Sequence, residues 1–246
     1  MTVCQVCGSS ERRLFVRHHD LELFQCGSCG LVYLDPMPDD AVIDALYDNA
    51  YDSTSTGYFA KVEAKLKRSR RRVRRLRQAV RPTSPQPRFL DVGASGGFMT
   101  EAAREDGWQA VGIELDPDSI AYARAHYPGI DFIRSTAQDY AAKAPQAFDL
   151  VYCSEVIEHV TDVNAFIVAL ASLTRPGGYL YFTTPDISHW RRPRDISRWD
   201  GFCPPAHCLY FKPANLRQLL ERHGFVVVKR DWAFKPGIKI LVRARS

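Results

Sequence analysis

Cys4-x-x-Cys7-Gly8 and Cys26-x-x-Cys29-Gly30 stand 18 residues apart near the start of the chain. Each pair makes a tight knuckle with a glycine just after its second thiol. Four thiolates at this spacing suit a tetrahedral Zn(II) ion in a ribbon. All four positions are protein ligands, so the expected role is structural. A segment this short cannot bury enough apolar surface alone, and a metal would supply its folding energy. Four reduced cysteines without metal, or a redox dithiol, fit two evenly matched pairs less well.

A second stretch with chemical content runs from Phe89 to Glu114. Phe89-Leu90-Asp91-Val92 stops at Gly93-Ala94-Ser95-Gly96-Gly97, a helical segment follows, and Val111-Gly112-Ile113 stops at Glu114. This is the βαβ layout of a nucleotide-binding crevice. The glycines allow a sharp turn and close approach to a ligand. The acid ends the second strand, where it can accept hydrogen bonds from two ribose hydroxyls. The turn reads Asp91-x-Gly93-x-Ser95-x-Gly97, which lacks the spacing of the dinucleotide fingerprint.

These residues need elements to position them. A short helix is expected around Asp40 to Tyr47, then a polar stretch from Asp52 to Gly57. Tyr58 and Phe59 open a long helix. In it Phe59, Val62, Leu66, Ser69, Val73, Leu76 and Val80 form one stripe, apolar except at Ser69. Pro82, Pro85 and Pro87 end it. Asp116 and Pro117 start a helix running to about His126, as N-cap and first residue. Strands are expected near Phe132-Ile133, from Phe148 to Cys153, and from Tyr179 to Thr183 after the turn Arg175-Pro176-Gly177-Gly178. Helices run from Val163 to Leu173 and from Pro213 to a stop at Gly224. Phe225 to Val228 and Ile238 to Val242 close the chain as a hairpin.

The 246 residues suffice for one large domain and a small one. Hydrophobic content of 46% and charged content of 25% are those of a globular protein. No apolar run approaches a membrane span and no signal peptide is apparent, so no membrane partner is expected and the expected location is the cytoplasm. The net charge of +5 is unevenly spread. Lys61 to Arg81 carries 11 Lys/Arg and one acid, leaving the rest of the chain net acidic.

The turn resembles motif I of class I S-adenosylmethionine (SAM)-dependent methyltransferases, with Ser95 where a glycine is usual. Phe148-Asp149-Leu150-Val151, Glu155-Val156-Ile157-Glu158-His159-Val160 and Leu173-x-x-Pro176-Gly177-Gly178 extend the resemblance over about residues 88 to 230. The branch it is most similar to includes ubiquinone-biosynthesis O-methyltransferases. The cysteine knuckles, Tyr58-Phe59, and Pro205-Ala206-His207-Cys208-Leu209-Tyr210-Phe211 resemble a bacterial subgroup with an N-terminal zinc ribbon. Many of that subgroup are associated with polysaccharide or natural-product pathways.

The resemblance implies an α/β fold: a Rossmann-like, seven-stranded doubly wound sheet, with a small N-terminal zinc ribbon and a basic amphipathic linker helix. The boundaries expected are 1–38 for the ribbon, 39–87 for the helical linker and 88–246 for the SAM-dependent methyltransferase domain. It further implies that Gly93, Ala94, Ser95 and Gly97 line the methionine end of SAM, with Asp91 positioning the loop or the ammonium. Glu114 would hold the ribose, Leu115 would pack on adenine, and Ala137 and Gln138 would border its edge, in a loop after the strand. Ser154 and Glu155 would follow the fourth strand, where the sulfonium faces a small-molecule acceptor.

A base is needed only if the acceptor must lose a proton. His207 is the first choice, His159 the second, and Glu155 and Glu158 are further candidates. If helical, Glu155, Glu158 and His159 share a face that could hold a divalent ion. From Ile187 to Pro205, Trp190, Arg191, Arg192, Arg194, Arg198 and Trp199 could bind an anionic or sugar acceptor. Methylation of a sugar nucleotide, polysaccharide or natural-product intermediate, at oxygen, is the leading expectation. An RNA methyltransferase is a second reading, because a ribbon and a basic helix could grip phosphates. Against it, the arginines surround an apolar stripe, as on a solvated helix docked to a core. A SAM-binding module without turnover is the third.

Overall fold

The computed structural model describes residues 3–39, 42–43, 61–143 and 148–245. The polar stretch from Asp52 to Gly57, the Tyr58-Phe59 helix start and nearly all of the Asp40–Tyr47 helix lie outside them. Contacts divide the chain into two compact units that interleave in sequence. One comprises Met1–Leu46, Ser154–Val168 and Phe182–Val242, the other Tyr47–Cys153, Ala169–Tyr181 and Arg243–Ser246.

Strands β1 (Arg12–His18), β2 (Leu21–Cys26) and β3 (Val32–Leu34) form an antiparallel meander. Its fourth strand, β9 (Leu209–Tyr210), comes from far along the chain, with Val32 opposite Tyr210. This four-stranded sheet is therefore completed by a segment outside the first 38 residues. Leu23, Val32, Leu34, Leu209 and Tyr210 are buried there.

The larger sheet has the order β10-β11-β8-β7-β4-β5-β6. Its strands are β4 (Arg88–Val92), β5 (Gln109–Glu114), β6 (Asp131–Arg134), β7 (Phe148–Ser154), β8 (Thr174–Thr184), β10 (Phe225–Arg230) and β11 (Ile238–Ala244). This bears out the seven-stranded α/β expectation. The pairings of β4 with β5, β5 with β6 and β4 with β7 are parallel. Phe89, Leu90, Phe148, Leu150 and Val151 are almost fully buried, as central parallel strands require. The strand order reverses at β4, where Val92 faces Cys153 near the carboxyl ends of β4 and β7. Open α/β sheets bind ligands at such a switch point.

Helix α1 (Val62–Val80) buries Leu66, Ser69, Val73, Leu76 and Val80, the expected stripe with Ser69 included. Arg70 pairs with Glu105 at 2.6 Å, Arg77 bonds the Asp106 carbonyl, and Arg72 bonds the Tyr152 hydroxyl. Several of the arginines thus anchor α1 within its own unit. Helices α2 (Phe98–Glu105), α3 (Pro117–His126), α4 (Ala137–Lys143), α5 (Val163–Leu173) and α6 (Pro213–Arg222) complete the set used below. Asp116 caps α3, its carboxylate accepting from the Ser119 N–H at 2.7 Å.

Three local expectations change. Strand β8 begins at Thr174, so Arg175 to Gly178 belong to the strand, where Arg175 is tied to Asp149 at 2.7 Å. Ala137 and Gln138 open α4 instead of lying in a loop, because the Thr136 hydroxyl accepts from the Asp139 N–H and starts the helix. Glu155 is not helical: its φ of 56° is left-handed, and only Ile157–His159 make a 3-10 turn. Among the described residues, no helix is long and apolar enough to cross a membrane.

Candidate active site

The Gly-rich turn is held by the end of β5. The N–H groups of Gly93 and Ala94 both donate to the Ile113 carbonyl, at 2.9 and 3.0 Å. Gly93, Ser95 and Gly97 all have positive φ. Gly97 has a second constraint, since a Cβ there would lie 2.7 Å from the Phe132 ring. Ser95 occupies left-handed backbone that favours glycine. Its buried hydroxyl has no partner, so it is open to a polar group of a ligand.

Glu114 ties this turn together. Its Oε2 accepts from the Ser95 N–H at 2.8 Å, and its Oε1 accepts from Leu115 and Asp116. Oε2 has a single backbone donor and retains acceptor capacity for a ligand hydroxyl. Burial raises the Glu114 pKa, opposed by these backbone bonds. The arrangement fits a ribose at the carboxylate and a polar methionine end at Ser95. Ala137 is buried and Gln138 exposed at the start of α4, so Gln138 can reach a ligand only from the solvent side.

Asp91 lies beneath the turn, fully buried, and accepts from the Thr100 hydroxyl at 2.7 Å. Burial pushes its pKa up to about 7, against the pull of Thr100 and with the Glu114 charge adding to the rise. A carboxyl with a raised folded pKa stabilises the fold fully below its unfolded pKa and loses that contribution as pH rises through about 7. The ligand-free protein should therefore lose stability between pH 4 and 8, on the order of 4 kcal/mol over the full window. Asp91→Asn should flatten the profile. Thermal midpoints measured across this range check it, and parallel profiles for the two proteins would refute the assignment.

The other unit gathers a second group of polar side chains. The Ser154 hydroxyl meets the Thr183 hydroxyl at 2.6 Å, and Thr183 in turn donates to Glu155 at 2.7 Å. Thr183 has one proton to give, so Ser154 is the donor in this chain. Glu158 is buried and accepts from the Thr184 hydroxyl at 2.9 Å, while its other oxygen has no partner. Burial, then the neighbouring Glu155 charge, pushes its pKa well above the carboxylate range. The two threonines at the end of β8 were missed in the sequence. Their signal was a polar pair closing the apolar run from Tyr179 to Phe182.

His159 and His207, 48 positions apart, have ring centroids 4.5 Å apart and edge-on. The His159 Nδ1 lies 2.8 Å from the Ala206 carbonyl, and the His207 Nδ1 lies 2.9 Å from the Gly201 carbonyl. Carbonyls only accept, so both rings carry their proton on Nδ1 and present Nε2 as an acceptor. Burial lowers both pKa values, that of His159 to about 4 with the help of His207. Both are neutral at neutral pH. Glu158, His159 and His207 offer one carboxylate oxygen and two ring nitrogens within 4.8 Å of one another. His207, not Glu155, thus joins Glu158 and His159 in the donor set.

Cys4, Cys7, Cys26 and Cys29 also converge within 4.8 Å. The Cys4–Cys29 and Cys7–Cys26 sulfur pairs are 3.5 Å apart. A tetrahedron with Zn–S bonds of about 2.3 Å has edges of roughly 3.8 Å, so the thiols fit the ion closely. Gly8 and Gly30 both have φ of 75° and donate to the Cys4 and Cys26 carbonyls, the same turn twice.

The fold has the strand order and acid-terminated second strand of SAM-dependent methyltransferases. A model of the methyltransferase domain family matches residues 64–230, more than half of the chain, and the chain belongs to that family. The match begins within α1, so it includes the basic helix. A ubiquinone biosynthesis O-methyltransferase of Xanthomonas campestris pv. campestris (strain B100) is 41% identical over 110 residues, 43% of this chain and 46% of that protein. The corresponding enzyme of Vibrio atlanticus (strain LGP32) is 37% identical over 101 residues, 39% of this chain and 43% of that protein. The chain thus spans less than half the length of these relatives. Among solved structures, magnesium protoporphyrin IX methyltransferase from Synechocystis PCC 6803 with bound S-adenosylhomocysteine (SAH) has a TM-score of 0.63. It is 15% identical, covering 85% of this chain and all of that one. Burkholderia thailandensis 1,6-didemethyltoxoflavin-N1-methyltransferase has a TM-score of 0.62 at 15% identity, over 95% of this chain and all of that one.

Proposed function

We propose that this chain transfers a methyl group from SAM to the oxygen of a small molecule, in a sugar-nucleotide, polysaccharide or natural-product pathway. The observation that carries the reading is the tie between Glu114 and the Ser95 N–H at the switch point. It brings the acid and the Gly-rich turn together as a ribose and methionine cradle. When bound, the cofactor supplies a methyl group already activated on sulfur. Glu114 accepts from ribose, the Gly93–Gly97 backbone and Ser95 hold the methionine end, and Asp91 sets the turn beneath it. Leu115, Ala137 and Gln138 border adenine, and Ser154 lies toward the acceptor. Alignment of donor and acceptor can supply ~7–11 kcal/mol of the barrier. His207 takes the acceptor proton, with His159 beside it. A zinc ion at Cys4, Cys7, Cys26 and Cys29 is structural.

Labelled SAM offered with a panel of small-molecule acceptors tests the reading, and no transfer to any of them would count against turnover. Glu114→Ala should weaken binding of SAH about 10- to 150-fold, the worth of charge-assisted hydrogen bonds of ~1.5–3 kcal/mol. Calorimetry on a folded variant checks this. Unchanged affinity would mean that Glu114 serves only the turn.

The donor set of Glu158, His159 and His207 favours a second reading, in which these residues hold a divalent ion at the acceptor site. Turnover restored by an added divalent ion after chelation, with the four thiols still metal-loaded, would select it over a metal-free base.

A further inference from the structure

A cleft of about 530 Å³ opens between the segment after β8, the start of α6 and the turn joining β10 to β11. That volume accommodates a ligand of drug size. Trp190 and Trp232 line it and are 74% and 73% exposed. Two indoles left this open are unusual on a protein surface and offer flat faces for stacking. Their supports are ordered. His189 packs parallel to Trp190, and its Nε2 lies 3.0 Å from the Ala233 carbonyl. Trp232 rests against Phe234, and the Arg191 guanidinium lies over the Phe234 ring at 3.8 Å.

Lys212, Arg230 and Lys239 also line the cleft. None of them has an ion-pair partner among the described residues. The two acids of the lining are already engaged. Asp231 pairs with Lys229 at 2.9 Å, and Asp186 accepts from the Ser188 N–H and hydroxyl. These bonds all fall on Oδ1, so each acid keeps Oδ2 to accept from a hydroxyl group, and the cleft combines this with uncompensated positive charge and stacking faces.

We propose that this cleft binds a phosphorylated sugar, with the phosphate at Lys212, Arg230 and Lys239 and the ring against Trp190 and Trp232. A sugar ring has apolar C–H faces for the indoles and hydroxyls for Asp186 and Asp231, while the cations require an anionic group. The assignment rests on the proposed methyl transfer for the fate of the sugar, and not for its binding.

Titration of the full chain by tryptophan fluorescence and calorimetry, without SAM, tests it. The probes are UDP-glucose, glucose 1-phosphate, UMP and inorganic pyrophosphate. Saturable binding is expected for at least one of the two sugar phosphates, and tighter than for UMP or pyrophosphate. The stronger of the two identifies the source as a nucleotide-linked or a simple sugar phosphate. Trp190→Ala and Trp232→Ala should each weaken it about tenfold, as should the double variant Arg230→Gln/Lys239→Gln. Equal binding of pyrophosphate would reduce the cleft to an anion site. UMP binding as tightly as UDP-glucose would assign the indoles to a base, and either result overturns the proposal, as does the absence of saturable binding. Sugar-phosphate binding without methyl transfer to any acceptor would sink the functional reading and leave the cleft assigned. Transfer to another acceptor with no sugar-phosphate binding would do the reverse.

Discussion

Replacing His207 with alanine should slow methyl transfer to a hydroxyl acceptor by ~10²–10⁴ while barely changing SAH affinity. The ring is held by its Nδ1–H bond to the Gly201 carbonyl, which leaves the Nε2 lone pair to take a proton. Burial lowers its pKa, so the neutral, basic form persists at neutral pH and below. The wild-type rate should fall only as pH drops beneath the ordinary histidine range, and the acid limb should vanish in His207→Ala. His159 shares the cluster, and its lower pKa makes it the weaker base. Steady-state rates of both alanine variants against pH decide. If His159→Ala carries the loss and His207→Ala does not, the two roles exchange. If both variants keep wild-type rates, alignment alone drives the reaction.

Protein purified without added metal should contain close to one zinc per chain, and Cys26→Ser/Cys29→Ser should contain close to none. Structural zinc contributes apparent binding free energies of ~10–16 kcal/mol in small peptides, so its loss should unfold the ribbon. The damage should spread, because the knuckles are sewn to distant residues of the same unit. Gln5 donates to the Thr161 carbonyl at 2.7 Å and accepts from the Val163 N–H at 2.8 Å, capping the start of α5. Asn164 bonds the Gln5 carbonyl, and Arg222 bonds that of Val6. Amide exchange should therefore rise at the N-terminal turn of α5 as well as in the ribbon. Elemental analysis of the variant is the check: metal retained there would place the ion away from the cysteines.

The tie between the Gly-rich turn and Glu114 was legible because it is local. Its glycines, its acid and its helix follow one another within a single βαβ unit, and the apolar stripe of α1 and the capped start of α3 stood out for the same reason. The histidine cluster was legible only as candidates. His207 is oriented by the carbonyl of Gly201 and brought to His159 by a segment with no regular period. The left-handed Glu155 carries no residue-type signal, since that backbone favours glycine or asparagine. Strands β3 and β9 were hidden because they have three residues and two, too short for alternation to show.

The pairing of β3 with β9 sets an order of events during biosynthesis. The four cysteines leave the ribosome early, and on the proposed role they would capture zinc at that stage. The edge of β3 then waits, unpaired, until Leu209 and Tyr210 emerge, 175 positions after Leu34. Closing so long a loop is slow, and an open strand edge is a template for association with other nascent chains. A fragment ending before β9 should therefore aggregate even when its zinc is bound. Because His207 lies two residues before that strand, the pairing that seals the edge should also bring the imidazole to His159, so that the sheet and the histidine pair are completed together.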